Sequence, residues 1–321
     1  MLKTISSNFY LTSSQKRLFL INPRWYIGIF SRGTGKTTFK QAIRSLLTAQ
    51  NVPHGLSVFY NATYVGAQQR TVANIIPGWK KMGLVEGVDF VYNIKPPKSF
   101  IQNKFYQPFE YKNTISYRNG HTFILASNDR PGLVNSLSIT GGIFVDELRF
   151  LKYETMVQDL YPAIRGTNIW GTNNPYTFSR TYTTDMPFIT DEADWIFDFE
   201  KLMIPEQILL IAQISIKCEK IKNKILLQKN LFQNTSNYTK QIIILEEINR
   251  LKQKLQYKEN LLNLVRTHFV TEKNGKTEIH KKSVYFDTGS FFANLNILGP
   301  EYFFENSESS KNVSYKKRIT K

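Results

Sequence analysis

The sequence predicts an α/β fold, a mainly parallel sheet flanked by helices and followed by a helical hairpin. Three observations carry this expectation. Short β-branched and aromatic runs alternate with amphipathic stretches through residues 1–204, as in strand–helix–strand units whose sheet is covered on both faces. A glycine-containing loop joins one such run directly to a helical pattern. Residues 206–267 hold no Gly or Pro and carry apolar residues at helical spacing throughout.

Taken in order, the strand candidates are Trp25–Phe30, Leu56–Tyr64, Thr122–Ala126, Ile143–Val145 and Arg180–Thr184. A helix is expected over Lys36–Gln50, with Phe39, Ile43, Leu46 and Leu47 on one face. Past Pro205 the composition changes. Ile211, Ile214, Cys218, Ile221 and Ile225 recur at alternating spacings of three and four, and Ile244, Ile248, Leu251, Leu255, Leu262 and Val265 repeat the pattern with Lys258 interrupting it. The polar stretch Asn234-Thr235-Ser236-Asn237 separates the two stripes, so residues 205–267 read as an antiparallel helical hairpin. The alternative is two ordinary helices packed on the main domain. Residues 268–305 return to mixed, aromatic-rich sequence and read as a linker or lid segment; 306–321 read as a disordered basic tail.

Composition narrows the function. The chain has 321 residues, 41% of them apolar, and a net charge of +17, which points first to nucleic acid as partner. The bland alternative is the Lys, Asn and Ile bias of an AT-rich genome. One cysteine, Cys218, excludes an internal disulfide, and four histidines without metal spacing make a His-based metal site an unattractive reading. No apolar run is long enough to span a bilayer and the N-terminus has no signal core, so a cytoplasmic protein is expected.

The chemistry is concentrated in two places. Trp25–Phe30 runs into Ser31-Arg32-Gly33-Thr34-Gly35-Lys36-Thr37-Thr38, the strand–loop–helix context of a phosphate-binding P-loop. Gly33 and Gly35 let backbone N–H groups converge on phosphate oxygens, and the helix start adds its dipole. Lys36 is expected on the β- and γ-phosphates of ATP, and Thr37 on Mg²⁺. Phe30 stands where the usual first glycine would be. The second place is Ile143-Phe144-Val145-Asp146-Glu147, an apolar strand ending in two acids, the Walker B pattern. Asp146 is expected to hold Mg²⁺ through water and Glu147 to orient and deprotonate the attacking water.

With these motifs in place, the sequence resembles the large terminase subunit of tailed bacteriophages, the ATP-driven motor that packages DNA. The likeness covers about residues 8–200 and rests on four features. They are Leu11-Thr12-Ser13-Ser14-Gln15 ahead of the loop, the loop itself, the Asp146-Glu147 pair with the preceding Asn119-Gly120 turn and Thr122–Ala126 strand, and Thr183-Thr184-Asp185-Met186-Pro187. The family often lacks the first loop glycine and carries an arginine where Arg32 stands. The resemblance implies a P-loop NTPase of the additional-strand, catalytic-glutamate (RecA-like) type. It implies that Gln15 reads adenine, that Arg32 stabilises charge on the transferring phosphate, and that Thr183 and Thr184 couple hydrolysis to movement. Arg130, in Ser127-Asn128-Asp129-Arg130-Pro131-Gly132, becomes a candidate finger for a neighbouring subunit's ATP.

By the same resemblance, the expected partners are double-stranded DNA, a portal protein and a small terminase subunit. The expected assembly is a homo-oligomeric ring at the procapsid portal in the host cytoplasm, without a membrane and not retained in the mature virion. Tyr285–Phe304 resembles the family's linker towards its nuclease domain. No acid cluster beyond residue 287 suits a two-metal nuclease, so that activity is expected on another chain or to have been lost by truncation. Two other readings stay open: a helicase-like DNA-dependent ATPase, and a non-catalytic DNA-binding assembly protein with a structural P-loop.

Overall fold

A computed structural model describes residues 11–129, 132–166, 168–273 and 275–289. Its ten strands are β1 Trp25–Phe30, β2 Leu56–Asn61, β3 Phe90–Tyr92, β4 Thr114–Tyr117, β5 Thr122–Ser127, β6 Gly142–Asp146, β7 Ser179–Thr184, β8 Phe269–Lys273, β9 Lys276–His280 and β10 Val284–Gly289. The main helices are α1 Ser13–Ile21, α2 Ala42–Asn51, α3 Ala73–Lys81, α4 Pro205–Gln233 and α5 Tyr238–Thr267.

Eight strands form one sheet in the order β10-β1-β7-β6-β2-β5-β4-β3. From β10 to β5 all neighbours are parallel; β4 and β3 add an antiparallel edge. Strand β7 therefore stands between the loop-bearing strand β1 and the acid-bearing strand β6. The parallel strands are buried on both faces, which explains their continuous rather than alternating apolar sequence.

One face of the sheet carries Leu18, Ile43, Leu46, Ile75 and Trp79 from α1, α2 and α3, together with Ile211, Ile214, Cys218, Leu262 and Val265 from the root of the α4–α5 hairpin. The other face is built on Val58, Tyr60, Ile143, Val145, Met156, Leu160, Tyr182, Ile196 and Phe199. The two seam stripes read from the sequence do meet. Ile221 and Ile225 pack on Ile248 and Leu251 further out along the hairpin, with Ile244 and Leu255 partly buried beside them. Its root is fastened by Arg266, whose Nε donates to the Ile21 carbonyl at 3.0 Å, and by Gln207, which donates to the Val265 carbonyl at 2.8 Å.

Helix α3 lies almost backbone to backbone against the helix that follows the loop. A Cβ on Gly78 would sit 2.4 Å from the Thr38 carbonyl oxygen, so no larger residue fits. Beside it, the Trp79 indole donates to the Ala42 carbonyl at 2.9 Å.

Three boundaries differ from the sequence reading. The strand expected over Leu56–Tyr64 ends at Asn61, because the Thr63 hydroxyl accepts the Gly66 N–H and opens a helical turn. The antiparallel edge β3–β4 was not foreseen; its strands are three and four residues long, too short for a periodic signal. The third difference concerns residues 268–305, expected as a linker or lid. Residues 290–305 of this segment lie outside the described residues. The described part, up to Gly289, contributes a two-stranded hairpin, β8–β9, and then β10, which pairs with β1 along its whole length. The α4–α5 hairpin is thus inserted between two strands of the same sheet. The run Val284-Tyr285-Phe286 is short and ends in Asp287, whose polarity is absorbed in the fold by Arg17, Tyr26 and Tyr285. The tail from residue 306 lies outside the described residues.

Candidate active site

The loop leaves β1 at its carboxyl end. Gly33 and Gly35 adopt φ of 77° and 72°, the left-handed region that glycine enters without strain. The helix that follows opens with a wide turn over Lys36–Gln41, in which the Lys40 N–H reaches back to the Gly35 carbonyl. Lys36 is buried. Its ammonium donates to the carbonyls of Phe30 (2.9 Å) and Ser31 (3.1 Å), and more closely still to Asp185. Ser31 also accepts from the Thr34 hydroxyl at 2.9 Å, which closes the loop on itself. Thr38 is exposed at the helix start.

Strand β6 delivers Asp146 to the same edge. The Thr37 hydroxyl donates to Asp146 Oδ2 at 2.7 Å, and the Thr183 hydroxyl, from β7, donates to Asp146 Oδ1 at 2.9 Å. Burial pushes the Asp146 carboxyl up, and these two hydrogen bonds oppose that shift. A hydroxyl and a carboxylate side by side form the hard oxygen set that Mg²⁺ prefers. The residues present therefore fit the ion.

Glu147 follows at φ 57°, an uncommon conformation for a non-glycine residue. It turns the chain sharply out of β6. Its Oε2 is buried without a hydrogen-bond partner, 3.6 Å from Arg149 Nε. Burial, then Asp185, then Asp146 push this carboxyl up, which makes it a stronger base than an exposed glutamate.

Gln15 lies behind the loop. Its amide oxygen accepts the Thr12 N–H at 3.0 Å, and its Nε2 donates to the Thr34 carbonyl at 3.5 Å, so α1 is tied to the loop. Thr184 accepts the backbone N–H of Arg149 at 3.2 Å, while Thr183 bonds Asp146; the end of β7 is thereby wired to both sides of Glu147. Arg32 is largely exposed, with its Nε 3.5 Å from Asp185 Oδ2. Arg130 lies outside the described residues.

Three site residues escaped the sequence reading. Gln41 is fully buried and donates to the Val145 carbonyl (2.7 Å) and Thr183 Oγ1 (2.9 Å), which locks the loop helix onto β6 and β7. Arg149 is buried, lies against the rings of Phe150 and Phe188, and pairs with Glu147, Asp185 and Asp191. Asp185 meets Lys36, Arg32 and Arg149 at once. Its position directly after Thr183-Thr184 was the available signal for Asp185. Arg149, two residues beyond an acid pair, carries no pattern of its own.

The sheet order and the loop define the class: a P-loop NTPase fold of the additional-strand type, in which β7 is the strand inserted between loop and acids. No protein-family model matches the sequence, and no curated protein matches it. Among solved structures the chain is similar to the large terminase of a thermophilic bacteriophage (10% identity, 55% of this chain and 39% of that chain, TM-score 0.37). It is also similar to the large terminase ATPase domain of Thermus phage P74-26 (12% identity, 61% of this chain and 76% of that chain, TM-score 0.34). The match thus spans well under half of the first of these proteins. Among the described residues no helix is long and apolar enough to cross a membrane.

Proposed function

We propose that this chain hydrolyses ATP with Mg²⁺ and serves as the motor of a tailed-phage DNA-packaging terminase. The observation that carries the hydrolase reading is the Thr37–Asp146 hydrogen bond beside Lys36, with Glu147 the next residue. In this reading the loop N–H groups and Lys36 hold the β- and γ-phosphates of ATP. Thr37 and Asp146 hold Mg²⁺, which when bound neutralises charge on the phosphate oxygens. Glu147 accepts the proton of a water as its oxygen bonds to the γ-phosphorus and the bond to ADP breaks. Arg32 supplies further positive charge in the same subunit, Gln15 senses the adenine, and Thr183 and Thr184 pass the change along β7.

The motor reading rests on the order of the sequence motifs and on the +17 charge. It assigns double-stranded DNA as the moved substrate, a portal protein and a small terminase subunit as partners, and a ring of copies as the working assembly at the procapsid portal in the host cytoplasm. Nuclease activity belongs elsewhere in this scheme. Metal-dependent nicking of plasmid by the purified chain, lost on changing acids beyond Pro205, would refute that part. The deciding test of the whole is ATP turnover by the full chain with and without double-stranded DNA. Stimulation by DNA supports the motor. Turnover indifferent to DNA removes it and leaves a plain ATPase, and no turnover under either condition removes both.

A further inference from the structure

We propose that Asp185 is an internal stand-in for the terminal phosphate: its carboxylate fills the cation cradle of the loop, nucleotide must displace it, and Arg149 receives it. This deepens the nucleotide-site reading above and rests on it. Three cations meet this one carboxylate. Lys36 makes its closest contact with it, Arg32 Nε lies 3.5 Å away and Arg149 Nη2 3.8 Å away. Lys36 and Arg32 are the two side chains of the loop itself that can neutralise a phosphate. A carboxylate held by both is an oxyanion where an oxyanion ligand belongs, and two anions cannot share the place without strong repulsion.

The surroundings give the displaced group somewhere to go. Arg149 is buried, with its guanidinium carbon 4.6 Å from the Phe150 ring centroid and 5.2 Å from that of Phe188, which restricts its movement. It touches Asp185 only at the long limit of an ion pair, with Glu147 at 3.6 Å and Asp191 at 3.7 Å also in range. A small shift of Asp185 away from Lys36 and onto Arg149 converts that contact into a full charge-assisted hydrogen bond. Asp185 immediately follows Thr184, whose hydroxyl accepts the Arg149 N–H, and Thr183, whose hydroxyl holds Asp146. Movement of Asp185 therefore reports phosphate occupancy directly to the end of β7 and the acids of β6.

Removal of the Asp185 carboxylate is expected to raise phosphate affinity, and Arg149 is expected to matter to binding only while that carboxylate is present. Binding of ATP, ADP and inorganic phosphate to the full chain is measured by calorimetry without Mg²⁺ for the parent, Asp185→Asn, Arg149→Met and the double variant. Asp185→Asn is expected to bind ATP and phosphate about tenfold more tightly, because the cradle is no longer occupied most of the time. Arg149→Met is expected to bind several-fold more weakly, and to lose that effect in the Asp185→Asn background. Thermal unfolding of each variant checks that it is folded; should Asp185→Asn not fold, Asp185→Ser replaces it with the same expectation. Unchanged or weaker binding by a folded Asp185 variant overturns the stand-in role while leaving the nucleotide site intact. An equal loss from Arg149→Met in both backgrounds means that Arg149 touches phosphate itself and overturns its receiving role. If parent and variants alike bind no ATP, or Lys36→Ala binds as the parent does, the nucleotide-site reading falls and the proposal with it.

Discussion

The hydroxyl of Thr37 donates a 2.7 Å hydrogen bond to the carboxylate of Asp146, although the two residues stand 109 positions apart in the chain. The parallel sheet creates this meeting. Strands β1 and β6 run in the same direction with β7 between them, so the loop after one and the acids ending the other emerge at one edge. Thr183 on β7 completes the arrangement by bonding the second oxygen of Asp146 at 2.9 Å.

Glu147→Gln is expected to keep ATP binding and lose turnover. The amide has nearly the shape of the carboxylate but cannot accept a proton from water. General-base loss costs about 10²–10⁴-fold in rate. Steady-state turnover measured beside equilibrium ATP binding checks this, and turnover within about threefold of the parent would remove Glu147 from the role.

A second expectation concerns acid stability and His121, buried between β2 and the end of α2. Its Nδ1 meets the Val52 carbonyl at 2.7 Å, which can only accept, so Nδ1 carries the hydrogen. Its Nε2 therefore accepts from the Ser57 hydroxyl at 2.9 Å. Burial lowers the folded pKa to about 4 from an ordinary 6.5. The unfolded chain takes up this proton near 6.5 while the folded chain does so only near 4. The stability difference is fully present above pH 6.5 and is lost as pH falls towards 4, by about 3 kcal/mol at full separation. Urea unfolding at pH 7 and pH 4.5 should show a smaller acid loss for His121→Gln than for the parent. Equal losses would show that other groups carry the acid sensitivity.

DNA binding is expected to be non-specific and steeply salt-dependent. The +17 charge supplies phosphate contacts without sequence information. Lys217, Lys220, Lys222, Lys224 and Lys229 are all exposed along α4 and place part of this charge on the hairpin. Contact with about six phosphates costs roughly 10³-fold in affinity between about 50 and 200 mM salt. A flat response to salt, or a strong preference for one sequence, would count against it.

What the sequence disclosed and what it hid divide along physical lines. Loop, acid pair and hairpin seam were legible because each is local: a glycine pattern, a strand end, an apolar spacing. The seam residues Ile211, Ile214, Cys218, Ile221 and Ile225 are all buried as that spacing requires. Strand β10 and the Asp185 cluster were hidden because their meaning is non-local. Val284–Gly289 becomes a strand by pairing with β1 across most of the chain length. Asp185 becomes part of the site only because β7 ends beside the loop and carries it to Lys36 and Arg149.

The last prediction separates two arginines. Hydrolysis needs positive charge where negative charge develops on the γ-phosphoryl oxygens. Arginine fingers supply it in P-loop enzymes and are worth about 10³–10⁵-fold in rate. Arg32 belongs to the loop, and its exposed side chain already reaches the carboxylate that Lys36 holds. It is expected to act within its own subunit. Arg130, in the stretch of sequence between β5 and β6, can act only if copies assemble and that stretch faces a neighbour's nucleotide. Mixing inactive variants distinguishes the two roles. Arg32→Ala protein mixed with Lys36→Ala protein should stay inactive, because no site in the mixture has both residues. Arg130→Ala protein mixed with the same Lys36→Ala protein should regain part of its turnover, since the Lys36→Ala chain lends an intact Arg130. Recovery in the Arg32→Ala mixture would make Arg32 the residue that crosses between subunits. Failure of the Arg130→Ala mixture to recover, with assembly confirmed by sedimentation, would remove Arg130 as the crossing residue.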